Sequence, residues 1–285
     1  MRRPGGVHAA ALALVLLAGL AAVPARAEIV ELTILHTNDF HGRVDRAELL
    51  IATIQALRAS HPNSLLLDAG DTFESKIPGA VQTGGREVVD FMNRAGYDGY
   101  TPGDNEFVLF RLEDVLANIR RFAFPTISAN LRVKGVPLGL PFVVYERGGA
   151  SIAVIGVYGD HKALARYGVE ELSSKDSVRQ YVAALKGKVD CIVLLSHAGA
   201  ERERGYAQAI PGIDVIVGGS THAALDAAGV NDTVIVRAAA RGAVVGVLDL
   251  EIDTDANRLR AWRFERAWTK LEPAPSDARH PGAPH

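Results

Sequence analysis

The feature that most constrains this chain is a change of rhythm along its length. From Leu32 to Val217, apolar runs of strand length alternate with segments whose apolar residues recur at helical spacing. From Thr233 onward only strand-like runs follow, at Thr233–Val236, Val244–Ile252 and Leu259–Phe264. The first part holds strand candidates at Leu32–His36, Ser64–Leu67, 141–146, 151–157, 190–195 and 213–217. Between them, Ala47, Leu50, Ile54 and Leu57 mark one helix face, and Val88, Phe91, Met92 and Ala95 another, with Gly96 placed to end it. Val178, Tyr181, Val182 and Leu185 predict a helix over about 174–187. Asp253-Thr254-Asp255-Ala256-Asn257 reads as a hairpin loop between the last two long strands. Strands alternating with helices, then strands alone, point to an α/β fold of layered sheets with helices outside. No repeat or interdomain linker divides it, so one domain is expected over 28–270.

The two ends read differently. Arg2 and Arg3 precede an apolar run from Ala9 to Val23, and Ala25-Arg26-Ala27 fits a cleavage site. That combination predicts a secretory signal peptide over 1–27, because the run falls short of the roughly 20 residues that span a bilayer. Export to the periplasm or outside the cell follows, with no membrane span after cleavage. At the other end, Glu272–His285 is proline-rich and poor in apolar residues, which predicts a disordered tail over 271–285. The 258 residues after the leader carry 28 basic and 33 acidic side chains, a net charge of −5. Nothing in that balance suggests a grip on nucleic acid or an anionic membrane. Cys191 is the only cysteine and sits in an apolar strand candidate, so it is expected to be a buried thiol.

Five polar segments lie at or just past strand candidates, the edge where ligands bind in open α/β sheets. They are Asp39-Phe40-His41, Asp68-Ala69-Gly70-Asp71-Thr72, Gly103-Asp104-Asn105-Glu106, Ser196-His197-Ala198-Gly199 and Gly218-Gly219-Ser220-Thr221-His222. On extended backbone, Asp39 and His41 would point the same way. Carboxylate with imidazole suits Zn, Mn or Fe. Each segment alone has a bland reading as a turn, a cap or a hydrogen-bonded strand end. Glu106 is expected to hydrogen-bond within its loop, and His36 and Asn38 flank the first segment as candidate orienting residues.

Taken in order, the set resembles the calcineurin-like metallophosphoesterase superfamily, and more closely the N-terminal catalytic domain of bacterial 5'-nucleotidases, from about Glu31 to Ile252. Neighbouring stretches match too, among them Leu32-Thr33-Ile34-Leu35-His36-Thr37-Asn38-Asp39 and Val193-Leu194-Leu195-Ser196-His197-Ala198-Gly199. The resemblance implies a four-layer α/β/β/α sandwich with two mixed sheets. It implies one metal on Asp39, His41, Asp71 and His222, with Asp71 bridging to a second. Two such cations about 4 Å apart would activate water for in-line attack on a phosphate ester.

The chain departs from the family at the second metal. Where the pattern is Gly-Asn-His-Glu, this chain has Gly103-Asp104-Asn105-Glu106. Asp104 still offers oxygen, while Asn105 replaces the histidine that assists catalysis and cannot donate a proton at neutral pH. Where the pattern is Gly-His-x-His, Ser220 replaces the first histidine. The second site would then hold Asp71, Asp104 and His197 with an open position for water. One or two divalent ions (Mn, Zn, Mg or Fe) are implied, and exchange of nitrogen for oxygen favours Mn or Mg. Asn105 and Asp104 stand at the catalytic positions.

The resemblance also implies a nucleoside-gripping C-terminal domain that this sequence does not supply. The expected partner is a small phosphate ester, with a nucleotide as one candidate and a separate substrate-binding chain as another partner. Two readings follow: an exported phosphoesterase, or a metal-binding scaffold that kept the fold and lost the chemistry. A thiosulfonate hydrolase, as in sulfur-oxidation relatives, is a third.

Overall fold

The computed structural model describes residues 28–74, 83–159, 162, 164–222 and 225–269. The predicted signal peptide and disordered tail lie outside them. In chain order come β1 (Ile29–Thr37), α1 (Ala47–Ser60), β2 (Ser64–Asp68), α2 (Arg86–Ala95), β3 (Gly99–Tyr100), α3 (Asn105–Leu109) and α4 (Leu112–Ile119). There follow β4 (Leu131–Val133), β5 (Val136–Pro137), β6 (Phe142–Arg147), β7 (Ala150–Tyr158), β8 (Val169–Glu171), α5 (Ser174–Leu185) and β9 (Cys191–His197). The last elements are α6 (Ala200–Ala209), β10 (Val215–Gly218), β11 (Leu225–Val230), β12 (Thr233–Arg237), β13 (Val244–Asp253) and β14 (Arg258–Trp268).

Two mixed sheets dominate, ordered β14-β13-β1-β2-β3 and β11-β12-β10-β9-β7-β6. Alternation along each strand sends one set of side chains between the sheets and the other outward. Val30, Leu32 and Ile34 of β1 meet Val154, Val193 and Val217 of the second sheet in a shared core. On the outer face of the first sheet, Leu35 and Leu66 pack against Leu50 and Ile54 of α1 and Val88 and Met92 of α2. On the outer face of the second, Ile155, Leu194 and Ile216 pack against Val178 and Val182 of α5 and Tyr206 of α6. The expected α/β/β/α layering is therefore present.

Particular expectations fare differently. Gly96 closes α2 in the left-handed conformation, as its position indicated. Cys191 is fully buried in the shared core. The strand expected from residue 213 begins at Val215; just before it the Asp214 carboxylate accepts from the Ile192 N–H at 2.7 Å. Beyond the two sheets expected, β5-β4-β8 form a small antiparallel sheet. It packs with Phe107 of α3 and Val115 of α4 in a separate apolar cluster near the site.

The sandwich interior also holds charge. Arg237, at the end of β12, pairs with Glu203 of α6, and both are almost wholly buried. His36 lies between the sheets rather than in the site, stacked on Phe264 with ring centroids 5.9 Å apart. Neither of its ring nitrogens has a hydrogen-bond partner among the described residues. Burial, together with Arg237, lowers its pKa to about 3.

Candidate metal centre

β1 runs parallel to β2 in one sheet and β9 to β10 in the other, and the donors at or just past their C-terminal ends come together. Each delivers a loop with one or two of the expected donors. Asp39 and His41 do converge, but extended backbone is not the means. Past Thr37 the strand ends, and both residues adopt φ of 51°. Their N–H groups donate to the carbonyls of Gly70 (2.8 Å) and Asp71 (3.0 Å), which binds the first loop to the second. Asp71 (φ 54°), Ser220 (φ 66°) and Arg241 (φ 65°) are also left-handed. Such conformations cost about 1–2 kcal/mol each in a non-glycine residue and persist where the surroundings over-determine them.

Asp68 is the buried staple beneath these loops. Its carboxylate accepts from Thr37 Oγ1 (2.6 Å), Thr72 Oγ1 (2.8 Å) and the Gly70 N–H (3.0 Å). Burial raises its pKa to about 6 despite those bonds. Glu106 reaches further than its own loop. It accepts from Gly103 N at 3.0 Å and from Thr72 N at 2.8 Å, which locks the third loop to the second. Burial first, then the charge of Asp71, pushes its pKa up to about 8.

The donors form two adjoining groups, Asp39–His41–His222 and Asp39–Asp71–His197. In the first, His41 Nε2 lies 3.1 Å from His222 Nε2 and 3.9 Å from Asp39 Oδ1, and His222 Nε2 lies 3.6 Å from Asp39 Oδ1. In the second, His197 Nε2 is 3.3 Å from Asp71 Oδ1 and 3.6 Å from Asp104 Oδ1. Two donors that share an ion at about 2.1 Å stand roughly 3–4 Å apart, depending on the angle. The observed separations fall in that range. Asp39 belongs to both groups, whereas Asp71, the bridging carboxylate implied by the resemblance, belongs to the second.

Two orphaned atoms point the same way. Asp39 Oδ1 and His197 Nε2 are buried and have no hydrogen-bond partner among the described residues. Asp39 Oδ2 is held by Asn38 Nδ2 at 2.6 Å, so Asn38 orients the first carboxylate. Burial disfavours a charged His197, yet Asp71, Asp104 and Asp39 together raise its pKa well above the usual value. Carboxylates crowded around unpaired donors call for positive charge, which a proton or a bound cation supplies. The residues therefore fit divalent ions.

Close approach explains the glycines. A Cβ on Gly103 would collide with Asp71 Oδ1, and one on Gly219 would collide with Ala69 O and crowd His197 Nδ1. The remaining expected residues stand at the rim. Asp104 is partly exposed. The N–H of Asn105 donates to Asp71 Oδ1 at 3.0 Å, and its amide lies 2.9 Å from His41 Nδ1. The Ser220 hydroxyl sits beside Gly199 at the start of α6, 3.8 Å from where a Cβ there would be.

Sequence reasoning passed over Arg43, Glu74, Leu109 and Arg241, which line the groove above His41, Asn105 and His222. Arg43 pairs with Asp45 at 2.6 Å. Arg241 anchors its N–H on Asp39 O at 2.7 Å. Nothing local marks Arg241, because a distant loop carries it over the site.

A four-layer sandwich with carboxylates and imidazoles gathered at its strand ends defines the class, an α/β scaffold with a candidate metal centre. The chain belongs to the calcineurin-like phosphoesterase family, whose pattern matches residues 32–224. The 5'-nucleotidase of Rattus norvegicus is 32% identical over 251 residues, covering 77% of this chain and 43% of the relative. The crystal structure of a 5'-nucleotidase precursor from Thermus thermophilus superposes with a TM-score of 0.73 at 27% identity, covering 84% of this chain and 54% of that one. A sulfate thiohydrolase of Thermus thermophilus shares the fold with a TM-score of 0.75 at 20% identity, over 84% of this chain and 56% of its own. The chain thus spans about half the length of these relatives. Among the described residues no helix is long and apolar enough to cross a membrane.

Proposed function

We propose that residues 28–270 form an exported phosphoesterase domain, led out by the signal peptide over 1–27, that hydrolyses a small phosphate ester with metal-activated water. The observation that carries this reading is the pair of orphaned buried donors, Asp39 Oδ1 and His197 Nε2, each within ligand range of further carboxylates and imidazoles. Asp39, His41 and His222 would hold one divalent ion and Asp71, Asp104 and His197 a second, with Asp39 in reach of both, supplying charge to the phosphoryl oxygens and acidity to a water. The substrate is then a phosphate monoester or diester, with a nucleotide suggested by the relatives' names.

The chain's own residues set the rest. Arg241 and Arg43 put positive charge at the rim of the groove, where an anion enters. The Asn105 amide donates and accepts but carries no proton to a leaving group, so solvent must provide it. Good leaving groups should therefore be favoured over alkoxides. The same amide, with the neutral hydroxyl at Ser220, favours the second reading, a metal-binding scaffold.

The test is metal analysis of the purified chain beside assays on p-nitrophenyl phosphate and bis-p-nitrophenyl phosphate with Mn²⁺. Turnover with bound metal supports the phosphoesterase. No turnover, with one ion or none bound, supports the scaffold. Turnover of a thiosulfonate alone would instead support the chemistry named for the thiohydrolase.

A further inference from the structure

The two inner histidines of the centre are oriented by different means. His197 Nδ1 lies 2.6 Å from Ala69 O. A carbonyl only accepts, so Nδ1 carries a proton and Nε2 is the nitrogen turned to Asp71 and Asp104. Among the described residues His41 has no such carbonyl. Its Nδ1 lies 2.9 Å from the side-chain amide of Asn105, and its Nε2 faces His222 and Asp39. Glu74 stands 3.9 Å off, outside hydrogen-bond range.

An amide can serve either tautomer of a neighbouring imidazole, donating through Nδ2 or accepting through Oδ1. Without a cation, Nδ2 donates to His41 Nδ1, and the His41 Nε2–H donates to His222 Nε2 at 3.1 Å. For Nε2 to offer its lone pair to a cation, the His41 proton must move to Nδ1. The Asn105 amide must then turn and present Oδ1. From this geometry we infer that Asn105 is a positioning residue for His41, holding the Nδ1–H tautomer that leaves Nε2 free to bind a metal. The inference rests on the proposed metal centre but not on turnover there. It gives Asn105 a role distinct from that of the histidine it replaces.

The test uses the full chain stripped of metal and titrated with Zn²⁺ by calorimetry, with ¹⁵N-histidine NMR reporting the tautomer. The His41 signals are identified by their loss in His41→Gln. Asn105→Leu, or Asn105→Ala where leucine impairs folding, should weaken zinc binding by about 10–100-fold, the usual cost of losing a partner that orients a ligand. Asn105→Asp, which only accepts, should hold His41 as Nδ1–H even without metal and keep wild-type affinity or better. In the metal-free wild type, His41 should be protonated on Nε2, and on Nδ1 once zinc is bound. Zinc affinity within threefold of wild type in Asn105→Leu, with an unchanged His41 tautomer, overturns the inference. Asn105-dependent zinc binding without any turnover would defeat the phosphoesterase reading and leave this one standing. A wild type that binds no zinc defeats both.

Discussion

His197 Nδ1 sits 2.6 Å from the carbonyl oxygen of Ala69, and its opposite nitrogen, fully buried, faces Asp71 at 3.3 Å. One backbone contact thus decides which ring nitrogen faces the carboxylates. His197→Ala removes that nitrogen and leaves Asp71 and Asp104 without an imidazole partner. The variant should lose one bound ion, and turnover should fall on the order of 10²-fold or more, as removal of a group that stabilises developing charge does. Inductively coupled plasma mass spectrometry of the Mn²⁺-loaded protein checks the first, and p-nitrophenyl phosphate assays the second.

Arg241 concerns the substrate rather than the ions. Its backbone is pinned to Asp39 and its side chain lines the groove. Arg241→Ala should raise KM for a phosphate monoester about tenfold, the loss of one charge-assisted contact, while kcat stays within threefold. Added salt should shrink the difference. A drop in kcat with unchanged KM would remove Arg241 from anion recognition.

Much of the fold was legible because its long elements obey one period each. The shared core takes Val30, Leu32 and Ile34 from alternate positions of β1, and α1 buries Leu50 and Ile54 at helical spacing. The two- and three-residue strands β3, β4, β5 and β8 carry too few positions for alternation to register. α4 was legible and was passed over, since Leu112, Val115, Leu116 and Ile119 recur at helical spacing. In the site, the five motifs named the donors, but not how they meet. Extended geometry was the natural expectation for Asp39 and His41, and the left-handed backbone at both arises from hydrogen bonds to Gly70 and Asp71 in the next loop. Partners set by distant segments, such as Ala69 O for His197 or Glu203 for Arg237, leave no local mark.

His36 predicts an acid sensitivity unrelated to catalysis. Its folded pKa, about 3, lies below the ordinary 6.5, so the folded chain refuses a proton that the unfolded chain accepts. The stability this gives is present above pH 6.5 and is lost as pH falls toward 3. At pH 4.5 the loss would amount to about 2–3 kcal/mol. His36→Leu should flatten the dependence of the urea midpoint on pH between 6.5 and about 4 relative to wild type. Parallel curves for the two proteins would show that His36 is not the cause.

The combined Asn105→His and Ser220→His variant restores the two missing histidines of the family pattern and leaves Asp104 in place. General-acid assistance is typically worth about 10²–10⁴-fold, and it matters most for leaving groups that need a proton. The variant should therefore gain more on an alkyl phosphate than on p-nitrophenyl phosphate. Equal gains on both would attribute the improvement to metal binding alone.

The most direct test of a shared cation site is the ion content of the full chain after Mn²⁺ loading and exhaustive dialysis, beside Asp39→Ala. Asp39 belongs to both donor groups, so its removal should strip metal from a wild type that retains one or two ions per chain. A wild type that retains none, or an Asp39→Ala variant that retains as many, would contradict a centre built on these residues.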